Sequence, residues 1–365
     1  MNKLKVIQLL PELNIGGVER GTKDFSSALV QRGHESIVIS NGGLFEHDIV
    51  KDGARHIKIP IHKKSLFSLL LSKKLRTVYE EEKPDIVHVR SRMPAWINFY
   101  AFKRLIKKPI LISTFHGLYS TPVYSKVMSK VDHMIAISNT VKEYIKNTYN
   151  VSNDKISVIP RGCDMDHFNK DQVDNDWINE WFREFPQTKN KIILTLPTRI
   201  SKWKGVDNFV ELISRMDGNV FHGLVVGPTS NSKLRYLNSL KKKISELGIN
   251  KSITFTGSRN DISNIYKISD IVFNLSIDPE PFGRTTIEAI SCGAKFIGWD
   301  HGGTKEILEE LFPNGLVPLG NINALEEKVI KVSDKNYLTP KENVFTSERM
   351  INETINLYHQ LLNTE

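Results

Sequence analysis

Between Lys3 and Ser40 the chain commits itself to a parallel sheet. Lys3-Leu-Lys-Val-Ile-Gln-Leu-Leu10 is an apolar run of strand length, Pro11 to Gly17 has loop composition, Val18 to Arg32 carries a helical pattern ending at Gly33, and Glu35-Ser-Ile-Val-Ile-Ser40 is a second strand. Two strands joined through a helix must lie parallel, with their crossovers covering the sheet faces. The same alternation continues, with strands expected at 57–59, 85–89, 109–115, 133–137 and 156–159. After a polar stretch from Asn169 to Asn190 it begins again, at 192–196, 221–226, 253–255, 271–275, 295–298 and 316–318. The pattern predicts two doubly wound α/β domains, one over 1–168 and one over 169–344, with 169–190 as the interdomain region. The terminal segment, Phe345 to Leu362, has apolar residues at helical spacing and a polar opposite face.

Charge is divided unevenly between the halves. Residues 1–165 hold 26 Lys and Arg against 15 Asp and Glu, whereas the remainder holds 24 against 26, so the net +9 belongs to the first half. That half can approach an anionic surface: acidic lipid, phosphorylated glycolipid or nucleic acid. No basic and aromatic stacking motif or recognition helix marks a nucleic-acid binder, so nucleic acid is not an expected partner. The apolar stretch around Leu66 to Leu75 is broken by serines and lysines and is shorter than the ~18 residues of a membrane span. Met1-Asn-Lys-Leu-Lys-Val-Ile leads directly into a strand pattern without a signal core, and Cys163 and Cys292 stand far apart, which together suit a cytoplasmic protein. Trp96 to Lys108 and the helix after His62-Lys-Lys-Ser-Leu-Phe combine cations with apolar residues, as would an interfacial anchor on the inner face of the membrane, or ordinary sheet-covering helices with wet basic faces.

The most informative stretch for chemistry is Asp278-Pro-Glu-Pro-Phe-Gly-Arg-Thr-Thr-Ile-Glu288. It follows the strand around 271–275, and its prolines and Gly283 predict a loop that turns into a helix near Arg284 or Thr285. Glu280 then lies on the loop and Glu288 about one turn inside the helix, so the two can converge on one ligand. The amides of Gly283 to Thr286 between them form a helix N-terminus suited to phosphate. Phosphate between two carboxylates matches a sugar nucleotide; the spacing alone is equally that of a helix start with a second Glu.

Other candidates sit at strand ends. Asn14-Ile-Gly16-Gly17-Val-Glu-Arg20 permits close backbone approach but lacks dinucleotide-site spacing. His116 closes Thr114-Phe-His-Gly117, where a histidine is more often a structural hydrogen-bonder than a catalyst, and Leu196-Pro-Thr-Arg199-Ile-Ser-Lys-Trp-Lys204-Gly205 places two cations near a helix start, suited either to neutralising a leaving diphosphate or to a solvated basic loop. The Asp-x-Asp of Asp164 and Asp166 follows a strand and Pro160 and is read as a turn, with no metal expected. Arg90 and Arg92, in Arg90-Ser-Arg-Met-Pro-Ala-Trp96, could hold an anionic acceptor or form structural ion pairs.

Together these stretches resemble the family 4 retaining glycosyltransferases across nearly the whole chain. Glu280-x7-Glu288 is similar to that family's Glu, seven residues, Glu signature; Gly16-Gly17-x-Glu-Arg, His116, the Arg199-x4-Lys204-Gly205 loop, the Pro160-x-Gly-x-Asp164 turn and the Gly302-Gly303-x-x-Glu306 turn match further elements. The resemblance implies the GT-B class, two Rossmann-like domains facing across a cleft, with the last helix crossing back to the first. It further implies metal-independent, cofactor-free transfer from a nucleotide sugar, most commonly a UDP-sugar. Glu280 would hold the donor sugar and Glu288 the ribose, with Phe282, Gly283, Arg284 and Thr285 lining the donor site. Gly16 and Gly17 would face the diphosphate, His116 would contact the sugar, and Arg199 and Lys204 would stabilise the leaving group. The Arg90–Trp96 and Thr114–Gly117 stretches look more narrowly like bacterial enzymes of lipopolysaccharide core and related cell-surface glycans. A hydrolase or epimerase acting on a sugar nucleotide is the alternative within the same scaffold.

Overall fold

The computed structural model describes residues 2–364. The chain forms two compact units, Met1–Pro160 with Glu348–Glu365, and Arg161–Ser347.

The first unit is built on seven parallel strands: β1 (Lys5–Leu9), β2 (Glu35–Ser40), β3 (Arg55–Lys58), β4 (Ile86–Val89), β5 (Ile110–Phe115), β6 (His133–Ala136) and β7 (Ile156–Val158), in the order β3-β2-β1-β4-β5-β6-β7. Strands covered on both faces must be apolar throughout, and β4 and β5 are buried at every position. The register (Gln8 beside His88, His88 beside Ile112) aligns alternate residues of β1, β4 and β5 on one face. Leu4, Val6, Ile86, Ile110 and Ile112 there pack on the helix Gly17–Gln31 and the final helix, Ser347–Asn363. Tyr358 anchors the latter: it meets Phe25 edge-on at 6.0 Å, and its hydroxyl is 2.6 Å from His88 Nδ1, while His88 Nε2 is 2.6 Å from Thr114 Oγ1. Burial, with Arg90 and His116 nearby, holds the His88 ring well below its ordinary pKa.

Six parallel strands make the second unit: β8 (Ile192–Pro197), β9 (Phe221–Val226), β10 (Ile253–Gly257), β11 (Ile271–Asn274), β12 (Lys295–Trp299) and β13 (Leu316–Val317), ordered β10-β9-β8-β11-β12-β13. The stretch from Asn169 to Asn190, within the expected second domain, carries a short helix that packs on this sheet. Residues 175–184 form a helix whose Trp177 and Trp181, with Phe185 after it, pack on Ile193, Leu224 and Ile265. Trp181 donates to Thr188 Oγ1 and Trp177 to Asp261, while the Arg259 guanidinium lies over Trp181 and Phe185. Residues 161–168, assigned by sequence to the first domain, also belong here, because Cys163 bridges to Thr346 and Phe168 packs against Tyr266. Asp164 Oδ1 accepts from the amides of Asp166 and His167, the geometry of a turn.

His222 on β9 is buried beside Thr254 Oγ1, and burial, with Lys191 adding to it, pushes its pKa down to about 4. A histidine that protonates more readily when unfolded stabilises the fold fully above about pH 6.5 and loses that contribution as pH falls toward 4. Urea unfolding between pH 7 and 4.5 should therefore show stability falling on acidification, with a shallower slope in His222→Gln.

Candidate active site

In an open α/β sheet, ligands bind beyond the carboxyl ends of the strands where strand order reverses. In the second unit this switch point lies between β8 and β11, neighbours in the sheet. The β8 loop turns at Gly205, whose φ of +71° lets it lie against the Leu275 carbonyl; a Cβ there would stand 1.8 Å from that oxygen. The Ile277 amide donates to the Trp203 carbonyl at 2.7 Å, joining the loops after β8 and β11.

Across this junction Lys204 pairs with Glu280, which also accepts from Ser276 Oγ at 2.6 Å. Both charged side chains are largely buried, at 18% and 12% exposure, so the pair is shielded from bulk water. Lys204 Nζ also lies 4.1 Å from the Trp203 ring centroid. A third loop, after β12, fixes the carboxylate's backbone: Gly303 donates to the Glu280 carbonyl at 2.7 Å, and His301 Nε2 is 2.8 Å from the Ser276 carbonyl. Gly302 and Gly303 are required by this approach, since a Cβ on Gly303 would stand 2.4 Å from Phe282 Cα.

The helix expected near Arg284 begins there and spans Arg284–Ser291. Gly283 caps it in the left-handed region, with no side chain bonded to its first amides. One turn in, Thr286 Oγ1 is fully buried without a hydrogen-bond partner, and Glu288 pairs with Arg284 at 2.9 Å. The two glutamates thus engage different cations. Arg199, on the loop after β8, is exposed and makes no ion pair among the described residues. A buried carboxylate for hydroxyls, a shielded cation and an open helix N-terminus can together hold a polyhydroxy group attached to phosphate. Ser276 is a partner of Glu280 that the sequence did not single out; its only signal was its position at the end of the apolar strand.

The first unit has its own switch point, between β1 and β4. Arg90 ends β4 there, almost wholly buried. Its amide donates to Leu9, its Nε donates to Gln8 Oε1 at 2.8 Å, and its guanidinium lies over Phe25. No carboxylate pairs with it among the described residues, and burial lowers its pKa. Gln8 Nε2 is buried without a partner. His116 follows β5, its amide 3.4 Å from Tyr119 Oη. At Gly16 the Glu19 carboxylate folds over the helix start, only 2.1 Å from where a Cβ would be. Arg92, two residues on, has different partners from Arg90. It donates to Thr121 Oγ1 at 3.0 Å and stacks over Tyr119 and Tyr124. The chain turns at Ser91 and Arg92 opens a helix, so the two arginines leave the strand in different directions.

Two family models match successive parts of the chain: Glycosyltransferase Family 4 over residues 15–167 and Glycosyl transferases group 1 over residues 178–352. A crystal structure of a glycosyltransferase from Rickettsia africae ESF-5 superposes with a TM-score of 0.85 at 30% identity, covering 100% of both chains. The chain belongs to the family 4 glycosyltransferases. Its fold is accordingly of the GT-B class. Among curated relatives of this glycosyltransferase, N-acetyl-alpha-D-glucosaminyl L-malate synthase of Bacillus anthracis is 24% identical over 99% of the chain and 98% of the relative. The UDP-Gal:alpha-D-GlcNAc-diphosphoundecaprenol alpha-1,3-galactosyltransferase of Escherichia coli is 26% identical over 98% and 97%.

Proposed function

We propose that this glycosyltransferase moves a sugar from a UDP-sugar donor, with retention at the anomeric carbon and with neither metal ion nor cofactor, to a cell-surface glycan or glycolipid such as lipopolysaccharide core. The observation that carries the donor side is the Ser276–Glu280–Lys204 cluster beside the open N-terminus of the helix Arg284–Ser291. In this reading Glu280 binds sugar hydroxyls, Glu288 the ribose, and the backbone from Phe282 to Thr285 the diphosphate. The acceptor hydroxyl bonds to the anomeric carbon and gives its proton to the departing diphosphate oxygen as that carbon's bond to the diphosphate breaks. Lys204, Arg199 and the helix amides then meet the charge left on the departing group. The family resemblance gives Gly16, Gly17 and His116 their donor roles, and the unpaired buried charge of Arg90 supports an anionic group on the acceptor.

The choice of UDP is supported by the donor named for the Escherichia coli relative, and that of a glycolipid by its diphosphoundecaprenol-linked acceptor. No helix among the described residues is long and apolar enough to cross a membrane. We place the enzyme in the cytoplasm, at the inner face of the cell membrane. A panel of nucleotide sugars, scored for binding and for slow donor hydrolysis, tests the reading. A UDP-sugar should bind best, and addition of EDTA should leave its turnover unchanged. Failure of every nucleotide sugar to bind would sink it, and rapid release of free or epimerised sugar without an acceptor would favour a hydrolase or epimerase.

A further inference from the structure

The first unit carries a cavity of about 750 Å3 walled by Lys64, Leu69, Arg92, Trp96, Tyr100 and Tyr124, among others. A second cavity, of about 410 Å3, adjoins it, with Leu69 and Tyr100 lining both and Leu70, Lys73, Lys103 and Arg104 added. The larger volume lies within the usual range of small-molecule sites, about 300–1,000 Å3. Its apolar wall is held by ring contacts and a hydrogen bond. Trp96 stacks between Tyr100 and Tyr124, each 6.4 Å away at 28°, and its indole N–H donates to the Tyr124 carbonyl at 2.9 Å. Its polar end is cationic. Thr121 and Ser125 engage only Nη1 of Arg92, so the remaining N–H groups have no acceptor among the described residues. No acidic residue lines either cavity among the described residues, and Phe67 and Leu70 stand exposed along the same segment.

We propose that this trough binds one anionic amphiphile, its phosphate at Arg92 and Lys64 and its hydrocarbon chain along Trp96, Tyr100 and Leu69 into the second cavity. An aromatic and aliphatic wall suits an apolar chain, and a guanidinium beside it with no carboxylate partner among the described residues suits one anionic headgroup. The proposal rests on the glycolipid-acceptor reading above: the trough takes the acceptor's lipid phosphate.

The test is calorimetric titration of the full chain with dodecyl phosphate below its micellar concentration, beside inorganic phosphate, dodecyl maltoside and phosphatidylglycerol vesicles. Dodecyl phosphate should bind one molecule per chain and at least about tenfold more tightly than inorganic phosphate or dodecyl maltoside. Arg92→Gln, Trp96→Leu and the surface change Tyr100→Ala should each weaken it about tenfold. Equal binding of inorganic phosphate, unchanged affinity in all three variants, or binding to vesicles alone would overturn the proposal. UDP is titrated into the same protein. UDP binding without dodecyl phosphate binding overturns the trough and leaves the donor assignment standing; the converse overturns the donor assignment.

Discussion

Lys204→Met and Glu280→Gln should each lower the turnover of sugar transfer by about 10²–10³, the effect of removing one preorganised charge contact. The two side chains are paired, largely buried and held by three loops, so neither can be replaced by water without losing its position. Because they act as one unit, the double variant should be little slower than the slower single variant. Methionine and glutamine keep most of the buried volume, and circular dichroism should remain that of the parent protein. Steady-state kinetics with the donor that binds best, and a saturating acceptor, give the answer. Near-parental turnover in Glu280→Gln would remove the carboxylate from the proposed role, and multiplicative losses in the double variant would show that the two residues act separately.

The second large effect is on stability. In Gly205→Ala the added methyl would stand 1.8 Å from the Leu275 carbonyl oxygen in a residue held at φ +71°. The obstacle is backbone rather than a movable side chain, so the loops after β8 and β11 must part, and Lys204 moves with them. A loss of about 3 kcal/mol or more is expected, together with loss of transfer. Gly248 separates the two causes: it has the same backbone conformation, φ +70°, with open space where its Cβ would be. Gly248→Ala should therefore cost only about 1 kcal/mol, the left-handed strain alone. Urea unfolding of both variants measures the difference, and equal losses would mean that the close approach at Gly205 does not matter.

Much of this architecture was legible because both secondary-structure periods are strong. Parallel strands covered on both faces read as continuous apolar runs, and glycine and proline mark where they end, so the strand at 271–274 and the helix start at Arg284 fall where the residues imply. The packing of the stretch at 169–190 was not legible because its composition is polar overall. What decided its place was the narrow apolar face of Trp177, Trp181 and Phe185, which can be buried only against a sheet assembled from residues far along the chain. Arg90 and Arg92 lie two residues apart but have separate surroundings. A turn at Ser91 and a helix beginning at Arg92 send one into the core and the other to a separate cavity.

By itself the sequence determined the elements, their alternation and the residue types at the strand ends, because backbone propensity and apolar periodicity are local properties. Only the tertiary structure decided which strand ends become neighbours. Lys204 and Glu280 are 76 residues apart and meet because β8 pairs with β11, and Gln8 bonds Arg90 because β1 pairs with β4. Those pairings are set by how two whole sheets bury their apolar faces, a balance that no stretch of the chain carries alone.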